Sequence, residues 1–524
     1  MTTYTVGRGP GLRTLSDLDD DDRNAAFAQL QQRMVHVWEG MRRDLGDESV
    51  VVVPSITTAR SGTLTQAMEE RSLFLLLLLR QPRLRMIYVT SCPVSEAVVE
   101  YYLGLLPGVI PRHARARLTM VSLNDATPGS LSAKLLARPR ILRDIRRLIP
   151  NRAACHLIPY NATALERDVA LTLGIPMYAA DPRHLWLGTK TGCRRMFEEL
   201  GIPCPAGAED LRTLEDIIEA LVGMRRRRPD MVEAIAKLND GVSGSGNAVI
   251  DLRDLPAPGA TDEPDALRHR VLGMALEDST IGVDAYLASF ESGAGIVEER
   301  ITGRRLTSPS VQMRALPDGT VELLSTHDQL LGGASGQSYL GCIFPADRAY
   351  GPLISEPALV VGRHLATLGV QGRFAVDFVT VQDDDGAWAP YAIELNLRKG
   401  GTTHPFLTLQ FLTDGTYDAT SGVFRTPNGH PKHLVATDHL EDDRLTTLTV
   451  DDVFDIVARR RLHFDATRQT GVVLHMISCV TECGRLGLTA VGDSPEEAWR
   501  LYEEARVVIL DEAEVARSEG LLFP

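Results

Sequence analysis

The chain has 524 residues, 44% hydrophobic and 24% charged, with a formal net charge of −14. That length is too great for one hydrophobic core and implies about three or four domains. The acidic balance argues against a general nucleic-acid binder, which carries a basic face.

The first residues show no apolar signal-peptide segment, and the longest apolar run, Leu73–Leu79, falls far short of a membrane span and reads as a buried helix. Seven cysteines without a CxxC pair suit a reducing cytosol and offer no cysteine metal site. A cytoplasmic enzyme that binds neither nucleic acid nor membrane is expected. Of 55 basic residues only Lys134, Lys190, Lys237, Lys399 and Lys432 are lysine, so a lysine kept against that bias is a candidate for work that needs a compact ammonium.

Residues 1–47 read as a tail and a helix, Asn24–Leu45, with an acidic run at Asp19–Asp22 that suits the helix dipole. Residues 48–188 alternate strands (Val50–Pro54, Arg85–Thr90, Arg117–Ser122, Cys155–Ile158) with apolar-periodic helices (Gln66–Arg80, Val94–Leu106, Ser132–Leu148), which implies an α/β layer with a largely parallel sheet. Residues 189–300 open with a helix from about Thr189 to Gly201, stopped by Gly-Ile-Pro, and continue as an α+β region. Strands dominate 301–415. Residues 416–524, with helices Val450–Arg460 and Pro495–Val515 and strands around Gly471–Thr489, read as a separate α/β module.

Three motifs carry chemistry. In the first, two β-type runs flank a Gly/Ser loop containing Ser243, Gly244, Ser245 and Gly246. Such a loop exposes N–H groups as an anion nest, and Lys237 on the incoming strand adds a point charge for phosphates. The run after the loop reads as a strand, which excludes a dinucleotide fingerprint, and a plain mobile turn is the bland alternative. In the second, Gly372–Val381 and Pro390–Arg398 are strands, and a two-residue turn on Asp385-Gly386 would set Asp377 directly opposite Glu394 with Asn396 on the same face. Like charges so placed are destabilising unless a cation lies between them, and oxygen-only ligands suit magnesium shared with phosphates. In the third, Lys190 and Arg194 sit in the first turns of a helix, where the dipole prefers acids, a conflict that a phosphate site would explain.

Taken in order, these motifs resemble the ATP-grasp enzymes: a lysine before a helix ending Gly-Ile-Pro, a second lysine before a Gly-rich loop, an acidic hinge after a strand (Val297–Ile301), and the set Asp377, Glu394, Asn396, Arg398. Over nearly the whole chain from about Val50, the strings Tyr88–Ser91, Tyr101–Gly108, Ser308–Gln312, Ser325–Gln329, Glu394–Pro405, Gly471–Met476 and Gly484–Ala490 resemble the pheganomycin-type peptide ligases.

That resemblance implies an N-terminal α/β pre-ATP-grasp domain, a two-lobed ATP-grasp core and a small C-terminal α/β domain, an α/β and α+β multidomain protein. It also implies that the hinge backbone through Ile301 holds adenine, with Glu298 or Glu299 beside the nucleoside. Lys190 and Lys237 would bind phosphates of ATP, and Asp377, Glu394 and Asn396 would hold Mg2+. Arg398 would stabilise a tetrahedral oxyanion, and Arg373, Lys399, Thr402, Thr403 and His404 would position a carboxylate. For His404 both a general-base and a structural role stay open.

The activity implied is a peptide ligase joining an amino-acid-like carboxylate to the amine of an amino acid or peptide through an acyl phosphate, as in antibiotic biosynthesis, with a homodimer as the family-level assembly. A thiol or hydroxyl acceptor, or a non-catalytic ATP-binding protein, is the alternative. Two features depart from the pattern: Gly303-Arg-Arg-Leu lacks the acid many relatives place on the ribose, and residues 1–47 have no counterpart.

Overall fold

The computed structural model describes residues 15, 18–43, 48–56, 68–240, 246–333, 336 and 338–520. The first layer is a parallel sheet of β1 (Ser49–Val53), β2 (Arg85–Thr90), β3 (Leu118–Ser122) and β4 (Cys155–Pro159), in the order β3-β2-β1-β4. Helices cover both faces, so its strands are apolar runs, not alternating patterns, and all five residues of β1 are buried.

Three helical expectations here need correction. The single helix expected over Ser132–Leu148 is two, Leu131–Leu136 and Pro139–Leu148. Pro139 forces Arg138 out of the helical region, to φ −124° and ψ 71°. The apolar run at Ser72–Arg80 is a 3-10 helix, buried all round except at Leu78 and Arg80. The N-terminal helix is also two, Asp20–Gln31 and Met34–Arg43. Asp19 caps the first by accepting from the Asp22 amide at 2.8 Å, and the acidic run does more than face solvent: Asp20 pairs with Arg167 at 2.8 Å.

The second layer is antiparallel: β5 (Gly207–Leu211), β6 (Glu233–Leu238), β7 (Asn247–Asp251), β8 (Ala275–Leu276) and β9 (Gly295–Glu299), ordered β5-β9-β6-β7-β8. Helices Leu214–Arg227, Glu263–Leu272 and Val283–Gly293 pack their apolar sides on it.

The third layer is a nine-stranded antiparallel sheet. It contains β10 (Arg305–Thr307), β11 (Pro309–Ala315), β12 (Val321–Gly332), β13 (Ser338–Phe344), β14 (Gly372–Gln382) and β15 (Trp388–Asn396). After a small ribbon of β16 (Thr416–Asp418) and β17 (Val423–Arg425), the sheet resumes with β18 (His433–Glu441), β19 (Gly471–His475) and β20 (Arg485–Gly492). β18 pairs with β13. The strands of the expected C-terminal domain extend the sheet that carries Asp377. The 3-10 leucines Leu73 and Leu77 share one core with Leu434, Leu474, Leu488 and Ala505 of that last region.

Candidate active site

A cleft of about 500 Å³ opens between the second and third layers and reaches the first. Helix Lys190–Glu199 delivers Lys190 to it. Thr189 caps the helix, its Oγ1 accepting from the Gly192 amide at 3.0 Å. Gly192 is needed there because a Cβ would lie 1.9 Å from the Trp186 carbonyl. Lys190 is buried and its Nζ lies 2.7 Å from Glu394 Oε2. Burial alone would lower the lysine, but the Glu394 carboxylate outweighs it and holds the ammonium above its ordinary value.

β14 and β15 place Asp377 opposite Glu394, and Asn396 Nδ2 donates to Asp377 Oδ2 at 3.0 Å. The turn between them differs from expectation. A five-residue loop, 383–387, replaces the Asp385-Gly386 turn, and a bulge between Asp377 and Phe378 shifts the register so that the two carboxylates still face one another. Asp377 is raised to about 6, by burial first and the Glu394 charge second. On Glu394 burial is outweighed by Lys190, and the net shift is downward. Two facing carboxylates, one of them short of positive charge, are a fit for a hard dication with oxygen ligands. Among the described residues no cluster of three His, Cys, Asp or Glu side chains has metal-holding geometry, so remaining ligands would come from Asn396, water and phosphate.

The opposite wall is β6 and β9. Lys237 Nζ contacts Glu298 Oε1, and Glu298 also lies 3.5 Å from Arg194 Nη1. Glu298 is 2% exposed and packs between these two cations. Glu299 pairs with Arg228 at 2.9 Å, and burial raises its carboxyl despite that partner. Both acids are the last residues of β9. Arg300 and Ile301 follow β9 and line the cleft.

The expected site residues divide into three groups. Lys190, Lys237, Glu298, Glu299, Ile301 and Asp377 line the one cleft, as do Glu394, Asn396, Arg398 and Thr402. Four substrate candidates lie elsewhere. Thr403 Oγ1 bonds Gln312 Oε1 at 3.2 Å, His404 Nε2 meets His475 Nε2 at 3.0 Å, Lys399 Nζ donates to the Pro159 carbonyl, and Arg373 lies near Lys399. Burial and the neighbouring His475 hold His404 well below its usual value, a neutral packed imidazole and not a base facing the cleft. Ser243, Gly244 and Ser245 lie outside the described residues. Gly246 is described, and its carbonyl accepts from Tyr286 Oη at 2.8 Å. Sequence reasoning missed Arg71, Tyr160, Asp438, His439 and Arg485, which close the far end of the cleft; they come from four distant segments and share no motif.

This architecture is that of the ATP-grasp fold. The family model for the IQCH-like ATP-grasp region matches residues 183–270 and 282–420, and that for the PGM1 C-terminal domain matches 452–505. Among solved structures the chain resembles a biotin carboxylase–β,γ-ATP complex from Campylobacter jejuni (TM-score 0.52, 10% identity, 89% of this chain and 95% of that one). It also resembles an ADP complex of N5-carboxyaminoimidazole ribonucleotide synthetase (0.50, 11%, 90% and 98%). In sequence it is 28% identical to the L-propargylglycine–L-glutamate ligase of Streptantibioticus cattleyicolor, over 82% of this chain and 86% of that one. It is 25% identical to the IQ motif-containing protein H of Danio rerio, over 67% of this chain but only 37% of that protein. The chain thus resembles the ATP-grasp ligases, with an ATP-grasp region followed by one similar to the PGM1 C-terminal domain. No helix among the described residues is long and apolar enough to cross a membrane.

Proposed function

We propose that the chain joins an amino-acid-like carboxylate to the amine of an amino acid or peptide, with ATP converted to ADP and phosphate through an acyl phosphate. The observation that carries this reading is the convergence of Asp377, Glu394 and Lys190 with Lys237 in one cleft. Asp377, Glu394 and Asn396 are the residues that would hold magnesium, which when bound offsets negative charge on the phosphates. Lys190 and Lys237 approach from opposite walls and supply fixed positive charge for the transferred phosphoryl group. The hinge at Arg300–Ile301 is the seat proposed for adenine. Arg398 lies in the cleft wall just after β15 and in this reading stabilises the oxyanion of amine attack.

L-propargylglycine and L-glutamate, the pair named for the bacterial relative, head the substrates to test, and a homodimer is the proposed assembly, read by sedimentation. The deciding experiment measures ADP release from ATP and Mg2+ across acids and amines. Release that needs both, with a condensed product by mass, establishes the reaction. ADP release that needs an acid together with a thiol or hydroxyl compound, with a thioester or ester as product, would replace the amine acceptor.

A further inference from the structure

The cleft runs past the magnesium strands to charged groups that the phosphate chemistry leaves unused. Asp438 and His439 are consecutive on β18, and both line the cleft. In a regular strand successive side chains point to opposite faces. Here the pairing of β18 with β20 shifts between Thr437 and Leu440, and that irregularity brings both to one wall.

Asp438 is 2% exposed. Its Oδ2 accepts from Arg71 Nη1 at 2.5 Å, and Arg71 Nη2 donates to Tyr160 Oη at 2.7 Å. Arg485 Nε donates to the Asp438 carbonyl at 2.6 Å. The remaining carboxylate oxygen, Oδ1, lies 2.6 Å from His439 Nδ1. The contact lacks the angle of a hydrogen bond, but the carboxylate's charge beside Nδ1 favours the tautomer with hydrogen there, which leaves an acceptor lone pair on Nε2. Burial would raise Asp438, but His439 and Arg71 outweigh it and keep the group ionised. The His439 side chain is 27% exposed, stands edge-on to Tyr339, and has no Nε2 partner among the described residues. The other titratable groups around the pair include Arg71, Tyr160, Tyr339, Cys342, Arg485, His404 and His475.

We propose that Asp438 and His439 form the amine-receiving end of the cleft, with His439 Nε2 taking the proton that the substrate ammonium loses before its nitrogen attacks. The inference rests on the ligase reading and names the residues of its second half. The step balances. Nε2 accepts one proton from the ammonium, and the free amine forms the C–N bond to the acyl carbon. The C–O bond to phosphate breaks, and the second nitrogen proton leaves with the phosphate as hydrogen phosphate. Asp438 is a positioning residue, since it reaches the amine only through the imidazole.

The test uses the full chain with ATP and Mg2+, a panel of amino acids including L-propargylglycine as acids, and either amino-acid amines such as L-glutamate or hydroxylamine as acceptor. Hydroxylamine is uncharged near neutral pH and needs no base. His439→Gln, folded as judged by an unchanged Tm, is expected to lose about a hundredfold in amide formation while hydroxamate formation persists. Raising the pH should recover the amide rate by about tenfold per unit, as the free-amine fraction grows. Equal loss of both products, or retention of both, would overturn the assignment. So would wild-type hydroxamate without amide from any amine. If the wild type makes no hydroxamate with any acid, it is the ligase reading beneath the assignment that falls.

Discussion

Glu394→Gln separates what this carboxylate does for the fold from what it does for the reaction. In the folded chain Glu394 neutralises Lys190 at 2.7 Å and faces Asp377 across the β14–β15 pair. Breaking a buried ion pair costs about 3–5 kcal/mol when it leaves a bare charge. Here the glutamine oxygen still accepts from Lys190, Asp377 remains opposite, and Glu394 is 24% exposed. The loss in stability should therefore be nearer the value of one charged hydrogen bond, about 1.5–3 kcal/mol, and the chain should fold. The reaction has no such compensation. One of the two charges available to magnesium is gone, and removal of a single preorganised electrostatic group costs about 10²–10³ in rate. A metal ligand should cost at least that. ADP release under saturating ATP and amino-acid substrates, beside thermal melts of both proteins, gives the two quantities. Turnover within tenfold of wild type in a folded variant would refute the magnesium assignment.

Other expectations concern single charges. Lys237→Ala leaves Glu298 with Arg194 as its remaining close cation and should weaken ATP binding by at least about tenfold by calorimetry; unchanged affinity would remove Lys237 from the phosphate site. Glu69 is buried, accepts from the Ser91 amide and hydroxyl at 2.7 Å, and is raised by burial from 4.5 to about 7. The folded chain then binds the extra proton between those values, so this group's contribution to stability falls as pH rises through them. The Tm of Glu69→Gln relative to wild type should accordingly climb between pH 5 and 8, and a flat difference would contradict the burial argument. Lys399 is lowered from 10.5 to about 7, by burial first and Arg373 second. Its ammonium therefore costs stability at neutral pH, a cost that disappears as pH rises toward 10.5. Lys399→Met should raise the neutral-pH Tm by a few degrees; a lower Tm would refute the burial argument.

What the sequence discloses and what it hides follow from the range of the interactions. Lys190 is legible because a helix start announces itself within a few residues: Thr189 as cap, Gly192 against the preceding turn, Gly201 at φ +67° as the stop. Lys237 and the acids of β9 are legible for a similar reason, as residues of short strands beside glycine. The leucines at 73–79 announce burial but not the form of the helix, because their partners Leu434, Leu474 and Leu488 lie more than 350 residues away. Arg71, Tyr160 and Asp438 meet through the same long-range docking of the C-terminal strands, which no local pattern encodes.

The hairpin at Asp377 and Glu394 shows how a correct pairing can rest on a mistaken turn. A two-residue turn on Asp385-Gly386 and the observed five-residue loop with Gly386 at φ +87° differ by one residue of register. Without the bulge at Asp377/Phe378, a one-residue slip would send Glu394 to the other face of the sheet, away from Asp377 and Lys190. The bulge cancels the slip just where the two carboxylates meet, and beyond it Val376 pairs with Leu395 and Ala375 with Asn396. An interrupted ladder costs hydrogen bonding and is kept where it re-aims a side chain. The fold thus disrupts β14–β15 at Asp377/Phe378 and β18–β20 at Asp438–His439, and both disruptions bring acidic side chains to the same cleft.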